Sequence, residues 1–137
     1  MNDSLQATSH RDNETVEGIL INGLTQLTFN CKKYKANIVV LVFINNSIEC
    51  DEIQDQLFGY KSVIPADLVD KVTFLVIDVS CNINQSIMDC FKIVRAPTFV
   101  INKTVYNAET NTNEFRRILN LETIDIAELV MHIKENL

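Results

Sequence analysis

Between Asn37 and Ile44 the chain reads Asn-Ile-Val-Val-Leu-Val-Phe-Ile, β-branched and aromatic residues with no polar alternation. Such a run predicts a strand over about 37–44 that is covered on both faces and lies at the centre of a sheet. Val72 to Ile77 repeats the pattern, which predicts a second strand over about 72–78. Between them Cys50, Ile53, Leu57 and Tyr60 fall on one helical stripe. A strand, a helix and a strand joined by so long a connection imply parallel pairing through a right-handed crossover. Upstream, Val16, Ile19, Leu20, Gly23, Leu24 and Leu27 recur at three- and four-residue steps. That spacing predicts a helix over about 14–31, with Lys32, Lys33 and Lys35 beside its negative C-terminal end. Downstream, Ile87, Met88 and Phe91 mark the inner side of a short helix. Pro97 then opens the apolar strand Thr98 to Ile101, Asn102-Lys103 reads as a tight turn, and Thr104-Val105-Tyr106 returns. This hairpin, about 97–106, extends the parallel pair into a mixed sheet. Ile126, Leu129, Val130, Ile133 and Leu137 trace a closing amphipathic helix over one sheet face.

Residues 1–13 are polar and aperiodic, so they are expected to form a flexible tail before one domain over 14–137. With 137 residues and 47 % apolar side chains the chain can bury a continuous core. Twelve basic against eighteen acidic side chains leave a net charge of −6, a field that repels phosphate backbones and favours a protein or extended peptide as partner over nucleic acid. No apolar run approaches the roughly 20 residues that span a bilayer. The start, Met1-Asn2-Asp3-Ser4-Leu5-Gln6, has neither the cationic nor the apolar region of a secretory signal. An intracellular protein, cytoplasmic or nuclear and off the membrane, is expected.

A reducing compartment keeps Cys31, Cys50, Cys81 and Cys90 as free thiols. Their spacings lack the close pairs of a zinc site, and His10 and His132 lie far from them in sequence, so no metal is expected. No cofactor is expected either. The triplets Asn45-Asn46-Ser47 and Asn102-Lys103-Thr104 match the glycosylation acceptor pattern, but without a secretory route they follow from asparagine abundance alone. Pro97 is informative for another reason. Proline has no N–H and is tolerated in a sheet at a strand's start, an edge or a bulge, so ladder pairing stops there and backbone groups stay free for another chain.

The stretch Phe91-Lys92-Ile93-Val94-Arg95-Ala96-Pro97-Thr98 resembles the signature that precedes the cis-proline of the thioredoxin-like superfamily, with Ala96 at its last hydrophobic place. The order of predicted elements over about 37–137 is similar to that family as well. The resemblance implies a three-layer α/β/α fold with a mixed central sheet. It also implies that Pro97 abuts a loop leading into a helix, and that the backbone of Ala96 pairs with an extended segment. A peptide groove would then involve Asn46, Ser47, Ile48, Cys50, Arg95, Ala96, Pro97 and Thr98. The Phe43-to-Cys50 spacing and the Asn-rich stretch Asn107–Asn113 are further similar to the spliceosomal thioredoxin-like subunit and to phosducin-like folding cofactors.

The departure from that family concerns its chemistry. Dithiol exchange needs an exposed thiolate at the helix N-terminus and a second cysteine three places on. Here the chain reads Ser47-Ile48-Glu49-Cys50. Registering the helix on Ile53 and Leu57 puts Cys50 at the second, resolving position and Ser47 at the first. A serine hydroxyl cannot act as a thiolate, and no histidine lies nearby in sequence to activate it. In the competing register Cys50 is a monothiol nucleophile, but Asp51 and Glu52 beside it raise a thiol's pKa by like-charge repulsion. Asp51, Glu52 and Asp55 otherwise read as an acidic first turn complementing the helix dipole. Asp78 reads as a loop- or helix-capping carboxylate, Arg95 as a solvated arginine, and Cys81 and Cys90 as flanking one loop. The expected function is that of a redox-inactive interaction module or subunit of a larger assembly, with no catalytic residue. The alternative is a monothiol oxidoreductase using Cys50.

Overall fold

The computed structural model describes residues 16–33 and 36–137. In chain order the elements are Gly18–Ile21 (β1), Leu24–Lys33 (α1), Ile38–Ile44 (β2), Ile48–Leu57 (α2), Val72–Asp78 (β3), Gln85–Phe91 (α3), Thr98–Asn107 (β4), Thr112–Leu121 (β5) and Ile126–Glu135 (α4). The predicted tail over 1–13 and Lys35 lie outside the described residues. No helix among the described residues is long and apolar enough to cross a membrane.

The strands form one mixed sheet in the order β1-β3-β2-β4-β5. β1 and β2 run parallel to β3, whereas β4 runs antiparallel to both β2 and β5. The continuous apolar run thus becomes the middle strand, and every residue of β2 is buried. Its side chains alternate between two cores, as a period of two requires. Ile38, Val40, Val42 and Ile44 join Ile53 and Leu57 of α2 and Ile126, Leu129 and Ile133 of α4. Val39, Leu41 and Phe43 join Leu27 of α1 and Ile87 of α3 on the other face. Helices therefore cover both sides of the sheet, as the parallel β2/β3 pairing requires.

Three readings need correction. The helix predicted over 14–31 is two elements, since Gly18–Ile21 pairs with β3 as an edge strand and the helix begins only at Leu24. Gly23, at φ +90°, makes the break between them. Asn102-Lys103 is not a turn. β4 continues through it to Asn107, with a register shift at Ile101/Asn102, and the hairpin turns over residues 108–111 into β5. Tyr60, placed on the α2 stripe, stands beyond the end of that helix and is 75 % exposed.

Candidate functional site

The C-terminal end of β2, the start of α2 and the segment before β4 meet at one edge of the sheet. Asn45 begins the connection from β2, and its Oδ1 accepts from the Ser47 N–H at 2.9 Å, an Asx turn that sets up the next residue as a cap. Ser47 is the N-cap of α2. Its Oγ accepts from the Cys50 N–H at 3.1 Å and its carbonyl from the Asp51 N–H at 3.1 Å, so the hydroxyl satisfies a helix-end donor. Cys50 therefore sits in the first turn, not at the helix tip. Its side chain points inward and is fully buried, and its Sγ accepts from the Asn45 N–H at 3.4 Å. Glu49 and Asp51 supply the negative charge of this first turn, whereas Asp55 falls in the last turn of α2, where the dipole disfavours it. This corrects the reading of Asp55 as part of an acidic first turn.

Opposite the loop, Lys92 ends α3 in the left-handed conformation at φ 58°. The chain then runs through residues 93–97 without pairing into the sheet, and the Ala96–Pro97 peptide bond is cis. The β2/β4 ladder begins at the Phe43–Thr98 pair, one residue past the proline. Thr98 is 1 % exposed, and its hydroxyl donates to the Arg95 carbonyl at 2.8 Å, which fixes the segment's bend from inside.

Between the two segments lies an open groove of about 250 Å³, walled by Asn45 and Val79 on one side and residues 93–96 on the other. Of the predicted groove residues, Arg95 and Ala96 line it directly. Asn46 stands exposed on the adjoining loop and Ile48 at the first position of α2, Ser47 is half-buried at the cap, and Cys50, Pro97 and Thr98 are buried beneath. Asn45 lies within the 45–50 stretch that sequence reasoning assigned to the groove, whereas Val79, Met88, Ile93 and Val94 were missed. Val94, at 83 % exposure, and Ile48, at 76 %, put two large apolar side chains in solvent here.

Asp78, at the end of β3, accepts on Oδ1 from the Ser80 N–H at 2.9 Å and from the Ser80 hydroxyl at 2.7 Å, so it caps the loop as read from sequence. Those Ser80 bonds hold its carboxyl below the usual carboxylate range, and a weaker bond from Cys81 acts in the same direction. Cys50, Cys81 and Cys90 are free thiols. Among the described residues no group of three or more His, Cys, Asp or Glu is placed to hold a metal ion.

No protein-family model and no curated protein sequence matches the chain. Solved structures do. Thioredoxin F from spinach chloroplast superimposes with a TM-score of 0.65 at 18 % identity, over 90 % of this chain and 96 % of that one. Thioredoxin from Fasciola hepatica gives 0.66 at 16 % identity over 86 % and 98 %. Thioredoxin from Trichomonas vaginalis gives 0.64 at 19 % over 85 % and 95 %. At such identities the likeness is one of architecture, and with the mixed five-stranded sheet covered by helices on both faces it establishes that the chain has a thioredoxin-like fold.

Proposed function

We propose that the chain is a protein-interaction module on a thioredoxin-like fold that carries out no dithiol exchange, and that it holds an extended segment in the groove between Asn45–Ile48 and residues 93–97. One observation carries the reading: an oxygen, that of Ser47, occupies the α2 N-cap, while the only thiol of the loop, Cys50, is fully buried. A thiol without access to solvent cannot attack a partner's disulfide, which weighs against the monothiol alternative as well. The binding half of the reading rests on free backbone. Residues 93–97 lie beyond the ladder, Pro97 offers no N–H, and an incoming strand can pair with the groups left open while Ile48 and Val94 supply apolar contact. The same surface would serve a subunit of a larger assembly, in which case the chain is recovered from cells in fixed stoichiometry with its partners.

Insulin reduction tests the chemistry. The purified protein is expected to add nothing to the rate given by dithiothreitol alone, and turnover that Cys50→Ser abolishes refutes the proposal. Ser47→Cys is expected to form a reversible disulfide with Cys50, seen as two thiols lost on oxidation, because the first-turn register brings the two positions together. Binding is tested by selecting extended peptides against the protein. Ile48→Asp and Val94→Asp should each weaken a selected peptide at least tenfold, and unchanged affinity in both removes the groove from the reading.

A further inference from the structure

A second groove, sharing no lining residue with the first, lies on the α2/α4 face of the sheet. It has a volume of about 420 Å³, and its walls are Gln56 near the end of α2, Val63 and Pro65 of the following loop, and Ile124, Asp125 and Val130 around the start of α4. Val63 and Ile124 are 57 % and 58 % exposed, so two branched apolar side chains face water at this groove. Fold stability gives no reason for that exposure. Ile126, Leu129 and Ile133 already supply the buried stripe of α4, and Ile64, next to Val63, is buried in the same core.

The segments that build this groove are charged one-sidedly. Residues 48–71 and 122–135 hold ten of the chain's eighteen acidic side chains and only three of its twelve basic ones, Lys61, Lys71 and Lys134. These segments carry a net −7 and the remainder +1. α2 alone bears Glu49, Asp51, Glu52 and Asp55 with no cation to form an i,i+4 pair. The helix dipole accounts for Glu49 and Asp51 but runs against Asp55 in the last turn. Helix stabilisation thus does not account for Asp55, the α2 carboxylate next to the groove residue Gln56 in sequence. Asp125 brings the same sign to the wall of the groove, although its carboxylate also caps α4 through the Ala127 N–H at 3.0 Å.

We propose that the groove between the end of α2 and the start of α4 docks a positively charged amphipathic segment of another protein, whose aliphatic anchors fill the space between Val63, Ile124 and Val130 while its lysines or arginines face the carboxylates of α2 and the α4 start. Apolar anchors set in a charged rim are how such segments are read, with the charges speeding encounter and the anchors supplying residence. This surface is independent of the groove at Ala96, and either can fail without the other.

The test uses the whole protein, isotopically labelled, and an amphipathic peptide of about four helical turns made of leucine and lysine. Single-site binding is expected, with amide shifts confined to residues 56, 63–64 and 124–130. The double substitution Val63→Ser/Ile124→Ser, at two exposed positions, should weaken it at least tenfold. Replacing the peptide's leucines by alanine should do the same, a control that needs no change to the protein. Shifts centred on residues 45–48 and 93–96 overturn the proposal, as does equal affinity for the leucine-free peptide, which would leave charge alone. A wild-type dimer that the double substitution dissolves also overturns it, because the face would then belong to a second copy of this chain.

Discussion

An ideal Cβ on Gly18 would stand 2.8 Å from two carbons of the Phe58 ring and 2.8 Å from Val76 Cγ2, well inside the normal contact distance between carbons. Phe58 in turn packs edge-on against Phe74, with ring centroids 5.8 Å apart, so the ring that covers Gly18 is itself braced by the core. Gly18→Ala must push against a β-branched neighbour and a held aromatic ring. It should destabilise the protein by about 1–3 kcal/mol, the usual range for overpacking, measured as a lowered urea midpoint with an unchanged slope. Adding Phe58→Leu should recover part of the loss, and full stability of the single variant would show that the β1 contact yields freely. At this scale the sequence concealed the reason for the residue. A glycine in an apolar stretch was visible, but the ring above it comes from a position forty residues away in the chain. The cap that Ser47 makes went unread for a related reason, since capping of α2 depends on where that helix begins.

Between elements, one side chain does the joining. Asn84 is fully buried, accepts on Oδ1 from the Gly23 N–H at 2.7 Å, and donates from Nδ2 to the Asp78 carbonyl at 2.9 Å. It thereby ties the β1–α1 junction to the end of β3 and the start of α3. Asn84→Ala leaves the buried Gly23 N–H without its partner and removes one of the bonds to the Asp78 carbonyl, which keeps that from the Cys81 N–H at 3.3 Å; it should cost about 1–3 kcal/mol, read from thermal or urea unfolding. A loss near zero would mean that water replaces the amide. Elements that depend on such long-range ties were the ones sequence reading got wrong. β2 was legible because burial on both faces writes itself as an uninterrupted apolar run, and α4 because its buried Ile126, Leu129 and Ile133 keep helical spacing. β1 was not, since four residues are too few for a period and Leu24 and Leu27 happen to extend its apolar positions at helical steps. The Asn22-Gly23 pair, a turn signal, was the available clue. β5 was missed entirely: Arg116-Arg117 interrupts its alternation next to the register shift opposite Ile101/Asn102, and it pairs only with β4.

Across the molecule, stability should follow the strand order β1-β3-β2-β4-β5. β2 is buried along its whole length between two partners, and β3 is flanked on both sides too. The far end of the hairpin, from Val105 to Glu114, extends past the last β2 partner at Lys103 as a two-stranded ribbon, an arrangement that is marginal by itself. Amide hydrogen exchange should therefore be slowest in β2 and β3, opening only with global unfolding, and fastest in that ribbon. Ribbon amides as protected as those of β2 would contradict this gradient. The same strand order bears on how the protein is made. Gly18 of β1 pairs with Phe74 of β3, so at about 5–20 residues per second the ribosome takes several seconds after producing the first strand before its partner exists. During that interval Ile19, Leu20 and Ile21 have no ladder to join, and the nascent chain must be kept from pairing with its neighbours on the polysome.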